Sequence, residues 1–184
     1  MIFYPSTTHA RMLAVVIGVS EYEKDSGIRS LPFVQNDAGR IAYTLKEGGN
    51  FEVYPLYATK NGSDSPTKQN IETTLRQVLS PDVCHPDDTV VVYFSGHGTI
   101  SSRDKEKTLL LARDSIFHKE ETTLSAQWIR EQLKKCPARH KLFLLDTCHS
   151  GGKRSVLTQL TSSLVEGGEE GVITLASCKI HQKS

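Results

Sequence analysis

Three short apolar runs constrain this chain most: Leu13-Ala14-Val15-Val16-Ile17, Val90-Val91-Val92-Tyr93-Phe94 and Leu142-Phe143-Leu144-Leu145. Each is long enough for a strand and too short for a helix. None alternates apolar with polar residues, the pattern of strands buried on both faces in a parallel sheet. The segments between them carry helical periodicity. Asn36-Asp37 opens one helix, with Ala38, Ile41, Ala42 and Leu45 on one face and Gly48-Gly49 at its end. Thr67 caps a second, with Ile71, Leu75, Val78 and Leu79 inward and Ser80-Pro81 closing it. Ser125 caps a third, with Trp128, Ile129 and Leu133 inward and Lys134-Lys135 at its carboxyl end. Phe51 to Tyr57 reads as an edge strand because of Pro55, Thr108 to Ala112 as a short strand in a small hairpin, and Val172 to Ser177 as the last strand. Alternating strands and helices predict an α/β fold: a mainly parallel sheet with helices on both faces. At 184 residues this is one domain.

Two of the runs end in chemistry. Leu142–Leu145 leads into Asp146-Thr147-Cys148-His149-Ser150-Gly151-Gly152, and the Val90 run into Ser95-Gly96-His97-Gly98. Ligand sites in open α/β sheets form beyond the carboxyl ends of strands. The glycines predict a sharp turn after each strand. If the strands are neighbours, His97 faces Cys148 across one crevice. A free thiol, with a pKa of about 8.5, needs a nearby base to become a nucleophile at neutral pH. Taken alone, His97 reads as a structural turn histidine and Cys148 as a half-buried thiol. His149 is next to Cys148, but adjacent side chains at a strand end point apart, so His97 is the better base. Ser150 and Ser177 read as structural or pocket-lining hydroxyls, Cys178 as a second thiol nearby, Cys84 and Cys136 as loop and helix-end cysteines, and Tyr93 and Trp128 as core.

Composition excludes several classes. Net charge is +1 and the basic residues are dispersed, which predicts neither a nucleic-acid nor a membrane surface. The four cysteines form no C-x-x-C pair, which argues against zinc and for reduced thiols in the cytoplasm. Met12 to Val19 is too short to span a bilayer.

Tyr93-Phe94-Ser95-Gly96-His97-Gly98 and Asp146-Thr147-Cys148-His149-Ser150-Gly151 together resemble the histidine and cysteine motifs of the caspase-like cysteine peptidases, most of all the metacaspases and their prokaryotic relatives. The resemblance runs from about Met12 to the end. It implies a caspase-like catalytic domain over residues 1–184, in its large-subunit portion, with Cys148 as nucleophile and His97 as base. It implies Gly98 and Cys148 as backbone N–H donors to the oxyanion. It also matches Asp37 and Asp146 to the acidic pair of the metacaspase specificity pocket, which favours Arg or Lys before the cut bond of a protein or peptide substrate. Asp37 also reads as a simple helix cap.

Many metacaspases need calcium. Here the loop after the histidine offers only Asp104 and Glu106 among basic residues, Glu120 and Glu121 form a second cluster, and Ser155 stands where an acid is expected. Activity without calcium or any other cofactor is the expectation. Family members continue into a small-subunit region that completes the sheet, and the expectation is that this chain lacks it. Gly151-Gly152-Lys153-Arg154 is a candidate self-cleavage point. Two rivals remain: a caspase-like fold used as a non-catalytic scaffold, and a small-molecule thiol hydrolase or transferase.

Overall fold

The computed structural model describes residues 10–149 and 172–179, with the side chains of Cys148, His149 and 176–179 outside that description. Among the described residues, seven strands form one sheet. Its parallel part runs β2 (Glu52–Leu56), β1 (Met12–Gly18), β3 (Thr89–Ile100), β6 (His140–His149) and β7 (Val172–Lys179). Two short antiparallel strands, β4 (Thr108–Leu110) and β5 (Leu124–Ser125), continue from the far end of β3. The mainly parallel α/β architecture is as the apolar runs predict, and among the described residues β2 pairs only with β1, as Pro55 predicts.

The faces are filled unequally. On one, Leu13, Val15, Ile17, Val90, Val92, Phe94 and Phe143 pack against two helices. These are α2 (Lys68–Val78), through Ile71, Leu75 and Val78, and α3 (Ala126–Lys135), through Ile129 and Leu133. Each such side chain contributes roughly 1.5–3 kcal/mol on full burial. The caps are those the sequence predicts: the Thr67 hydroxyl accepts from the Asn70 N–H at 3.3 Å and that of Ser125 from the Trp128 N–H at 3.3 Å. Trp128 is only partly buried and lies under the Arg76 guanidinium, 5.2 Å from the ring centroid.

The other face is thinner. Ala14, Val16, Val91 and Tyr93 lie under Ala38 and Ala42 of α1 (Val34–Tyr43), which runs on into a wider π turn at Thr44–Gly48. Small residues let α1 sit close: a Cβ built on Gly18 would lie 2.6 Å from that of Ala38. The helix begins at Val34, earlier than Asn36-Asp37 suggests. Its N-cap is Phe33, which makes no side-chain capping bond, so Asp37 sits inside the first turn and is not the cap.

The structure corrects one expectation about the motifs. Ser95-Gly96-His97-Gly98 is not a turn; β3 runs straight through it to Ile100. The ladder continues because Gly98 is opposite His149 of β6 and Leu110 of β4. Likewise Cys148 is in register within β6 rather than beyond it. The glycines serve close packing. A Cβ at Gly96 would meet Val19 at 3.2 Å and the Phe94 ring at 3.3 Å, and one at Gly98 would meet Thr147 at 3.2 Å.

Candidate active site

The sheet reverses direction of growth between β1 and β3, since the chain goes first to β2 on one side and then to β3 on the other. Such switch points open a crevice at the strands' carboxyl ends. Beside it, β3 and β6 align Ser95 with Asp146, Gly96 with Thr147, His97 with Cys148, and Gly98 with His149. Neighbouring strands lie about 4.8 Å apart. The histidine and the cysteine of the two motifs therefore occupy directly opposed positions.

His97 is buried and held from several sides. Its Nε2 lies 2.8 Å from the Arg29 carbonyl oxygen. A carbonyl only accepts, so Nε2 is the donor in this contact. The His97 backbone N–H donates to the Tyr22 hydroxyl at 3.1 Å, and the two rings lie 5.5 Å apart at 32°. The His97 carbonyl accepts from the Leu111 N–H at 3.0 Å. The loop carrying Tyr22 and Arg29 is itself tied down, by Leu31 N–H to the Ser20 carbonyl at 2.7 Å and Phe117 N–H to the Ser26 carbonyl at 2.8 Å. It turns at Gly27, whose φ of 70° a side chain would strain.

The two acids come from different elements to one face. Asp37 is on α1 and Asp146 on β6, and Tyr93 is in the core beneath α1. Burial pushes the Tyr93 phenol above its ordinary value; a hydrogen bond with Ser95 opposes this, and the charges of Asp146 and Asp37 add to it. Both carboxylates are only partly buried.

The acids considered for calcium do not converge. Glu120 accepts from the Ser101 hydroxyl at 2.7 Å, the Ser102 hydroxyl at 2.7 Å and the Ser102 N–H at 2.6 Å. These donors hold its carboxyl down at about 2. Asp104 pairs with Lys107 at 3.4 Å. Among the described residues, no three His, Cys, Asp or Glu side chains are grouped to hold a metal ion. Likewise no helix there is long and apolar enough to cross a membrane. On β7, Ser177 is in register with Asp146 and Cys178 with Thr147. Ser150, Gly151-Gly152-Lys153-Arg154 and Ser155 lie outside the described residues.

Two contributors escape a reading of the sequence. The Arg29 carbonyl has no side-chain signature at all. Tyr22 carries one faint signal, an aromatic soon after a buried strand in an otherwise polar loop.

Comparison with known proteins agrees with the fold. The caspase-domain family model matches residues 11–184, so the chain belongs to the caspase-domain family of peptidases. It is also similar to metacaspase-2 of Arabidopsis thaliana, with 28% identity across 80% of this chain. The chain spans 36% of that relative's length.

Proposed function

We propose that this chain is the catalytic portion of a cysteine endopeptidase with a Cys148–His97 dyad that cleaves after Arg or Lys. The observation that carries the reading is the opposition of His97 and Cys148 across the β3–β6 ladder, with the imidazole held at Nε2 by the Arg29 carbonyl. In this mechanism Nδ1 of His97 takes the thiol proton, and the Arg29 carbonyl stabilises the resulting imidazolium. The Cys148 thiolate attacks the substrate carbonyl. The N–H groups of Gly98 and Cys148 receive the oxyanion, one such donor being worth roughly 10²–10³ in rate. His97 then protonates the leaving amine and later activates the water that releases the acyl group.

Asp37 and Asp146 supply the basic specificity, because a guanidinium or ammonium entering a partly desolvated pocket needs a charged partner. Calcium has no part in these steps, since Glu120 is already engaged by Ser101 and Ser102. Rates unchanged by a chelator are expected; activity lost to a chelator and restored by calcium contradicts this.

A small-subunit region completes the fold in this reading. Ile173 and Leu175 of β7 are 63% and 57% exposed, and they extend the half-buried row of Leu142 and Leu144 on the face that α1 covers farther along the sheet. Such a row is suited to cover by further chain. The cytoplasm, where thiols stay reduced, is the compartment that suits a thiol nucleophile.

The test is initial rates on fluorogenic peptides ending in Arg, Lys or Asp, beside Cys148→Ala. Cys148-dependent cleavage after Arg or Lys is expected. Cleavage after Asp alone refutes the pocket assignment, and an unchanged rate in Cys148→Ala refutes the nucleophile.

A further inference from the structure

The sheet's other end holds two thiols that the proposed reaction does not use. Cys84 lies in the turns leading into β3, and Cys136 is the residue that ends α3 before β6. They are 52 residues apart in sequence. In the fold their sulfur atoms are 3.1 Å apart, about 1 Å beyond a disulfide bond of ~2.05 Å. Both are buried, with 0% and 2% of their surface exposed. The backbone around them is tied independently: the Cys84 N–H donates to the Ser80 carbonyl at 2.8 Å, and the Arg139 N–H to the Pro86 carbonyl at 3.0 Å. The second bond joins the two segments directly, so the thiols are not brought together by loose chain. Among the described residues no metal-binding group includes them, which leaves oxidation as the chemistry two adjoining thiols offer.

We infer that Cys84 and Cys136 form a redox modification site, which a small hydroperoxide such as hydrogen peroxide closes to an intramolecular disulfide. One thiol reduces the peroxide, giving a sulfenic acid and water. The second thiol then displaces hydroxide from that sulfur, forming the S–S bond and a second water. Two electrons pass from the pair to the peroxide. The site's burial selects the oxidant, since a molecule close to water in size reaches it more readily than a bulky disulfide does. Burial and the adjoining thiol push Cys84 up to about 12, so thiolate is scarce there at neutral pH and closure is slow.

The disulfide's consequence follows from where it lies. It joins the lead-in of β3 to the lead-in of β6, and the register of those two strands opposes His97 to Cys148. It also closes a 52-residue loop, which constrains the unfolded chain more than a short loop does.

The test is prolonged treatment of the whole chain with hydrogen peroxide, then denaturation, alkylation, and peptide mapping without reductant. A cross-linked peptide joining Cys84 to Cys136, lost on reduction with dithiothreitol, is expected. The oxidised chain should melt about 10 °C above the reduced one, and Cys136→Ala should abolish both the cross-link and the shift. Recovery of both cysteines as separate alkylated thiols overturns the inference. So does their separate conversion to sulfinic acids, or their pairing with Cys148, Cys178 or a second chain. The mapping is made on the unaltered sequence, so it decides the question even if the variant fails to fold.

Discussion

Gly18→Ala tests how closely α1 must approach the sheet. The added Cβ would lie 2.6 Å from that of Ala38 and 3.1 Å from that of Tyr57, while ordinary contact begins near 3.4 Å. Neither neighbour is the tip of a flexible side chain. The backbone of α1 must therefore retreat by about 0.8 Å, and overpacking of this kind costs roughly 1–3 kcal/mol. Replacing a strand glycine returns about 0.5–1 kcal/mol through the unfolded chain. A net loss of about 1–2 kcal/mol is expected, which lowers Tm by about 2–8 °C in a chain of this size. The assay is thermal or urea unfolding of Gly18→Ala, Ala38→Gly and the double variant. Ala38→Gly alone costs about 1 kcal/mol in helix propensity but removes the opposing methyl. The pair should then show a favourable coupling of about 1–2 kcal/mol. Strict additivity, or a Gly18→Ala protein as stable as the parent, refutes the packing argument.

Other expectations follow from single contacts. Tyr22→Phe removes the acceptor of the His97 N–H and keeps the ring contact; kcat should fall about tenfold with little change in KM, and a change in KM alone would argue against a positioning role. Asp146→Asn should raise KM for Arg peptides more than it alters Cys148 alkylation, whereas equal cleavage of Arg and uncharged peptides before and after the change would remove Asp146 from the pocket. Asp88 is buried at the base of β3, which by itself raises its pKa, but N–H donors from His85 and Arg11 and the Arg11 charge outweigh burial and hold it below the usual carboxylate range. Its contribution is therefore present above pH ~4 and is lost as pH falls through the lower folded value. Urea unfolding of Asp88→Asn should show a loss of about 1–3 kcal/mol at pH 7 that shrinks towards pH 2, and a pH-independent difference contradicts the assignment. Cys84 has the opposite sign. Its thiol is pushed up to about 12, so its contribution is present below about pH 8.5, the unfolded value, and is lost as pH rises towards 12; Cys84→Ala should flatten that alkaline decline in unfolding free energy.

How far the sequence revealed this molecule depends on whether each feature is local. The strand cores were legible because parallel strands bury both faces and leave runs such as Val90–Phe94 without alternation. Thr67 and Ser125 were legible because a cap is a bond to a residue three places on. The path through Ser95-Gly96-His97-Gly98 was not. Glycine signals both turns and close approaches, and only the facing Thr147, Val19 and Phe94 decide between them. Asp37 looks like a cap in the sequence, but the first turn starts earlier, at Val34, with no polar cap to mark it. The opposition of His97 and Cys148 was conditional on strand order, which periodicity alone does not fix. The hold of the Arg29 carbonyl on His97, and the meeting of Cys84 with Cys136, depend on backbone paths that no spacing encodes.

In the proposed reaction His97 and Cys148 act as one unit. The decisive measurement is the rate at which iodoacetamide alkylates Cys148 as a function of pH, followed by mass spectrometry in the parent chain and in His97→Ala. A midpoint below the ordinary thiol value of about 8.5 is expected in the parent, moving up to that value when His97 is removed. Cys148 reacting with the same ordinary midpoint in both proteins would contradict it.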